Sequence, residues 1–135
     1  MERIVLVDGS GLMHRCYHAT KGGPTRDAYE AGDGLAAVTQ FRKTMDRLMA
    51  RLGSHPGFTH FATVFDASRS RARLEIFPDY KGQRPPLPDD FRIQVQPMKD
   101  EASRFGAVVE LDGYEADDII ATYARVADER GMETI

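Results

Sequence analysis

The sequence predicts an α/β domain of the doubly wound kind, with a mainly parallel sheet and flanking helices. Three observations lead there. Two short apolar runs each end in an aspartate, stretches of helical periodicity alternate with the apolar runs, and glycine or proline punctuates the joints. Strands are expected at about residues 3 to 8, 60 to 65, 107 to 111 and 133 to 135. Helices are expected at about 34 to 52, 89 to 105 and 116 to 130, with right-handed crossovers between parallel strands.

Ile4, Val5, Leu6 and Val7 form an unbroken aliphatic run, which reads as a strand buried on both faces. Asp8 stands at its carboxyl end, the edge at which open parallel sheets bind ligands. Gly9, Ser10 and Gly11 follow, but His14 takes the place of the third glycine of a dinucleotide loop, and no Gly-Lys completes a P-loop. Ser10 also stands where a haloacid-type phosphatase would carry its second aspartate. His14 is expected along a first helix, and neither it nor His18 is given acid–base work. Residues 20 to 34, with Gly22, Gly23, Pro24, Gly32 and Gly34, read as a loop. Asp33 is placed to cap the next helix, whose apolar stripe is Leu35, Val38, Phe41, Met45, Leu48, Met49 and Leu52, with Gly53 closing it.

His60 to Phe65 forms the second strand, and Asp66 again follows the apolar run directly. Two aspartates, each closing a strand, thus point to one edge of the sheet. Between Ser68 and Arg84 the positive side chains Arg69, Arg71, Arg73, Lys81 and Arg84 outnumber Glu75 and Asp79, and Pro85, Pro86 and Pro88 then impose an extended connection. Cations beside Tyr80 suit single-stranded nucleic acid, where charges follow phosphates and a ring stacks on a base for roughly 1–3 kcal/mol. A solvated basic loop is the plainer alternative. The helix from Asp89 turns Phe91, Val95, Met98, Ala102 and Phe105 inward, and Pro97 predicts a kink or break within it.

The stretch GYEADDII, residues 113 to 120, crowds Glu115, Asp117 and Asp118 at a helix start. Two like charges ~4–5 Å apart at an effective dielectric of ~20 repel by roughly 3–4 kcal/mol. The positive end of a helix dipole returns only ~0.3–1 kcal/mol per carboxylate. Such a cluster calls for a cation, and oxygen-only ligands select a hard one such as Mg²⁺ or Mn²⁺. A helix start that merely favours acids is the alternative. Further along this helix Ile119, Ile120, Tyr123, Ala124 and Ala127 are expected on the sheet, leaving the acidic end toward a cleft. From Asp100 to Ile135 only Arg104, Arg125 and Arg130 oppose ten carboxylates, so a basic and an acidic segment share one chain. That is the pattern of a metal site facing a phosphate track.

Composition narrows the classes further. At 135 residues and 41% hydrophobic content, the chain can build one domain with a core. A single cysteine, Cys16, allows no internal disulfide, and no Cys/His spacing for zinc occurs. The apolar run before Asp8 is too short for a signal peptide or a membrane span, so a cytoplasmic protein without a membrane partner is expected.

The blocks VDGSGLMHRCYHA, FDASRSRARLEIFPDYKGQRPP and GYEADDIIATYA, in this order and spacing, resemble the N-terminal part of the 5′ to 3′ exonuclease domain of bacterial DNA polymerase I. Its stand-alone and phage relatives form the flap endonuclease group, with a PIN-like fold. The likeness is close over residues 4–19, 62–100 and 108–127 and loose over 20–57. It implies a Mg²⁺- or Mn²⁺-dependent nuclease that hydrolyses DNA at 5′ ends or flaps in replication and repair, fused to or acting with a DNA polymerase. It also implies that Asp8, Asp66, Glu115, Asp117 and Asp118 hold divalent metals directly or through water. Lys81 and Arg84 then contact the scissile phosphate as catalytic cations, Tyr80 stacks on a base, and Arg73 lies on the same DNA track. Residues 1–135 would be the N-terminal part of such a domain, cut at the fourth strand and without the helical DNA-binding part. Two alternatives stay open: a catalytically weak DNA-binding fragment, and a PIN-like ribonuclease.

Overall fold

The computed structural model describes residues 2–21, 35–54, 57–67 and 88–135. Among these residues four parallel strands, β1 (Arg3–Asp8), β2 (His60–Phe65), β3 (Ala107–Glu110) and β4 (Glu133–Thr134), stand in the order β3-β2-β1-β4. The helices are α1 (Gly9–Lys21), α2 (Ala36–Ser54), α3 (Asp89–Ser103) and α4 (Ala116–Glu129). The doubly wound α/β architecture expected from the sequence is the one observed. No helix of the described residues is long and apolar enough to cross a membrane.

Strand alternation sorts the side chains onto two faces. Val7, Phe61, Phe65 and Val108 turn toward α1, α2 and α3, where Met13, Tyr17, Phe41, Met45, Phe91 and Met98 complete the larger core. Each large apolar side chain sealed there contributes about 1.5–3 kcal/mol. Val64 and Val109 turn the other way, against Ala116, Ile119 and Ile120 of α4. One helix covers less than three do. β1 is therefore fully buried only at Val5, with Ile4, Leu6 and Val7 half-buried, which corrects the expectation of a strand sealed on both faces.

α1 follows β1 without an intervening loop, which forces its first residue close to β2. A Cβ on Gly9 would lie 2.6 Å from the Phe65 ring and 2.8 Å from Thr63 Cγ2, so only glycine fits. The helix then runs to Lys21, past the expected start of the loop at residue 20. The remainder of that loop, and Asp33 with it, lies outside the described residues.

The start of α2 is capped from a distance. Gln94, 1% exposed on α3, accepts the N–H groups of Ala37 and Val38 on Oε1 at 2.9 and 3.2 Å, and its Nε2 donates to the Asp90 carbonyl at 2.9 Å. Two of the helix's orphan amides are satisfied in this way. Leu35 precedes the helix and is 44% exposed, so it does not belong to the core stripe expected for it. Gly53 does not close the helix either, because α2 continues to Ser54.

Pro97 does not break α3. The carbonyl deprived of its partner belongs to Ile93, on a part of the helix exposed enough for water to replace the lost bond. Phe91, Met98 and Ala102 are buried as expected, with Val95 and Phe105 packed at the core margin. The end of α3 is tied to β3 by Lys99, whose Nζ reaches both Glu110 oxygens at 3.0 and 3.1 Å and lies 5.6 Å from the centre of the Phe65 ring. On α4, Ile119 and Ala127 are buried but Tyr123 is 38% exposed, a correction to its place on the sheet. β3 is an edge strand of the described sheet, and Tyr123 overhangs a groove bordered by Val109, Leu111 and Tyr114 with no further strand of the described residues beneath it.

Tyr17 joins α1 to α3 by donating its hydroxyl to Asp90 Oδ1 at 2.9 Å. Burial, then the hydrogen bond to Asp90 and the charge of that carboxylate, push the phenol up to about 12 from 10.0. The folded state thus holds the phenolic proton more tightly than the unfolded chain. This contribution is fully present below pH 10 and is lost as pH rises toward 12. Thermal melting between pH 9 and pH 11.5 should show a steeper fall for the wild-type chain than for Tyr17→Phe. Gln94→Leu should destabilise the fold by about 1–3 kcal/mol in urea unfolding at neutral pH, since it strands two buried amides.

Candidate functional site

The site begins with the parallel pairing of β1 and β2, whose register runs from Ile4↔His60 to Asp8↔Val64. Both strands therefore deliver their carboxyl ends to one edge, and Asp8 and Asp66 arrive there side by side, as the sequence led one to expect. Asp8 Oδ1 accepts the Gly11 N–H at 3.0 Å, which caps the first turn of α1 with the carboxylate itself. A Cβ on Gly11 would lie 2.6 Å from Asp8 Oδ2, so the absence of a side chain keeps that seat open.

Asp66 is held at two points. Its backbone N–H donates to Ser10 Oγ at 2.7 Å, and its Oδ1 accepts the N–H of Ala116, the first residue of α4. The acidic block enters the site through that helix start. Glu115 is the N-cap of α4 and forms a capping box with Asp118, whose Oδ2 accepts the Glu115 N–H at 3.1 Å. Glu115 is 5% exposed, whereas Asp117, one turn-position away, is exposed to solvent.

Asp8, Asp66, Glu115 and Asp117 line one cleft of about 180 Å³, together with Ser10, Gly11, His14 and Ala116. The first turns of α1 and α4 both face it, so backbone amides and helix dipoles offset part of the carboxylate repulsion. Asp118 stands apart. Its carboxylate serves the capping box and borders the groove beneath Tyr123 instead. Within the crowded GYEADD stretch, Asp118 thus takes part in capping the helix start, and Asp117 lines the cleft.

Among the described residues no three His, Cys, Asp or Glu side chains close on a single point at coordination distance. The donor set fits a hard divalent cation all the same, because Mg²⁺ keeps several waters and takes few carboxylates directly. The oxygen donors come from three separate segments, and those of Asp8 and Asp66 each accept a backbone amide. Arg73, Tyr80, Lys81 and Arg84 lie outside the described residues.

Four residues at this edge were not singled out for the site from sequence. Ser10 and Gly11 hold Asp66 and Asp8, and His14 lines the cleft with its ring centre 4.8 Å from that of Phe91. Arg15 borders a second cleft of about 310 Å³ on the other side of Asp8, with Gly11, Leu12, Thr44 and Leu48. A usable signal exists for the last two. Residues 11 and 15 are one helical turn apart, and so are 10 and 14, which sets each pair on a common face directly after Asp8.

Comparison with known proteins bears on the family and the fold. Residues 3–135 match the family model for the 5′–3′ exonuclease, N-terminal resolvase-like domain. DNA polymerase I of Lactococcus lactis subsp. lactis is 36% identical over 130 residues, which are 94% of this chain and 14% of that protein. The thermostable DNA polymerase I of Thermus aquaticus is 36% identical over 132 residues, 97% of this chain and 15% of that protein. The chain thus spans about one seventh of the length of these relatives. Among solved structures, phage T5 5′-exonuclease with bound zinc superposes with a TM-score of 0.65 at 17% identity, over 96% of this chain and 45% of that one. A T5 flap endonuclease complex with DNA and metal ions gives a TM-score of 0.64 at 18% identity, over 95% and 45%. At such identities the superpositions speak for the fold, which is the PIN-like, resolvase-type arrangement. With the model matched over nearly its whole length and polymerase I relatives above one-third identity, the chain belongs to the family of 5′–3′ exonuclease N-terminal, resolvase-like domains.

Proposed function

We propose that this chain carries the metal-binding part of a 5′ nuclease that hydrolyses DNA phosphodiester bonds at free 5′ ends or flaps, using Mg²⁺ or Mn²⁺, in replication and repair. The observation that supports this most is the convergence of Asp8, Asp66, Glu115 and Asp117 on one cleft in a member of this family. These four carboxylates hold the metal, directly or through water. Asp118, whose Oδ2 accepts the Glu115 N–H, joins them through water. A divalent cation held by these residues would supply activation of a water and neutralisation of charge at the phosphodiester.

The chain's own residues divide the remaining work. Asp8 and Asp66, seated by amides of α1 and α4, keep the ligand oxygens on one side of the cleft. Asp117 projects from the exposed first turn of α4, at the mouth where a phosphodiester enters. Lys81 and Arg84 stabilise charge growing on the phosphoryl oxygens, while Tyr80 stacks on a base and Arg73 guides the strand. DNA is the partner, and the polymerase I relatives fit a nuclease fused to, or acting beside, a polymerase.

The deciding experiment is cleavage of a 5′-flap DNA and its RNA counterpart by the 135-residue chain, with Mg²⁺, Mn²⁺ or EDTA. Metal-dependent DNA cleavage is expected, and Asp117→Asn should reduce both that cleavage and Mn²⁺ affinity by about tenfold or more without lowering the metal-free melting temperature. Flap binding without cleavage would make this chain a DNA-binding module, and preferential RNA cleavage would make it a ribonuclease. Replacing Lys81 and Arg84 together by Ala should flatten the logarithmic salt dependence of DNA binding. Each lost phosphate contact removes roughly 0.9 from the slope on duplex and roughly 0.7 on single strands. An unchanged slope would make both ordinary surface charges.

A further inference from the structure

We propose that Ser10 is a positioning residue for the metal-binding aspartates: its hydroxyl fixes Asp66 to the start of α1, and so sets the spacing between the carboxylates of β1 and β2. The proposal rests on the nuclease reading above and adds to it the group that holds two of its ligands in register.

Ser10 is the second residue of α1, 6% exposed, and lines the same cleft as Asp8, Asp66, Glu115 and Asp117. Its Oγ accepts the Asp66 N–H at 2.7 Å across 56 residues of sequence. That amide is the first beyond β2, and the β1–β2 register has already ended at Asp8↔Val64, so the ladder does not serve it. Serine does.

The consequence is mechanical. Asp66 is gripped on its main chain by α1 and on its carboxylate by the Ala116 amide of α4. Asp8, two residues before Ser10, is seated on the same turn of α1 through Gly11. Both aspartates are therefore referred to one rigid piece of helix. Without the hydroxyl, Asp66 keeps among the described residues its carboxylate bond to α4, and rotation of its main chain shifts that carboxylate relative to Asp8. The residue type is constrained from two sides. An acceptor is needed, and a charged one such as aspartate would add to the repulsion in a cleft already lined by four carboxylates.

The test compares Ser10→Ala, Ser10→Thr and Ser10→Val with the wild-type 135-residue chain. Threonine and valine have nearly the same shape and differ in the hydroxyl. Mn²⁺ affinity is read by calorimetry at fixed pH and salt, below the melting range of every variant, and exchange of the Asp66 amide proton is read by NMR. Loss of a hydrogen bond that orients a metal ligand costs about tenfold or more in affinity. Alanine and valine should therefore bind Mn²⁺ about tenfold more weakly and expose the Asp66 amide to faster exchange. Threonine should restore both. Equal Mn²⁺ affinity in all four proteins overturns the proposal, as does a threonine variant as weak as valine, which would assign the effect to volume. A lower melting temperature with unchanged Mn²⁺ affinity would mark Ser10 as structural only, and also overturns it. Absence of Mn²⁺ binding by the wild-type chain is a separate result, since it removes the nuclease reading and the role of Ser10 with it.

Discussion

Parallel pairing of β1 with β2 is the constraint on which the rest of the molecule depends. In that arrangement two strands far apart in sequence end at the same edge, and whatever follows each apolar run is delivered to a common place. Here an aspartate follows each. The tight join of β1 to α1 belongs to the same constraint, because a helix that starts without a loop must begin against the neighbouring strand. Gly9 allows this by presenting no side chain to Phe65 and Thr63. With a longer connection, the first turn of α1 would lie farther from Asp66 and could not reach its amide.

Charge is distributed in keeping with that geometry. Carboxylates gather where two helix starts face one cleft and donate amides to them, a setting that tolerates negative charge. Two ion pairs of the described residues fasten elements to one another: Arg3 to Glu133 at 2.8 Å joins β1 to β4, and Lys99 to Glu110 joins α3 to β3. Even the acidic block divides its labour. Asp118 and Glu115 organise the helix start through the capping box, and the cleft receives Glu115 and Asp117.

Much of the fold was legible in the sequence because its signals are local. Aliphatic runs, helical stripes and the aspartates after the strands placed every described strand within a residue or two. What was not legible depended on partners far away in the chain. Gln94 interrupts an apolar stripe and looks like an ordinary polar substitution until the amides of Ala37 and Val38 are seen to end on it. Leu35 and Tyr123 fit the periodicity of their helices, but periodicity does not tell where a helix overhangs the core or the edge of a sheet. Pro97 carries a correct local penalty that exposure of the preceding turn relieves. In the site, the aspartates could be read from position alone, whereas Ser10 could not, since its partner is an amide just beyond β2, 56 residues away.

Among the described residues the two faces of the sheet are covered unequally, by α1, α2 and α3 on one side and by α4 on the other. The cleft straddles this divide, taking Asp8 and Asp66 from the strand ends and Glu115 and Asp117 from the start of α4. Helices bound to one another by Tyr17–Asp90 and by Gln94 open as a cooperative unit, while a helix with a small core of its own is the natural candidate to detach first. The bond from Asp66 to Ala116 then acts as a latch between regions of different cohesion. A cation bridging them would suppress the local opening of α4 far more than it would alter the three-helix side, and slowed amide exchange would appear chiefly along that one helix.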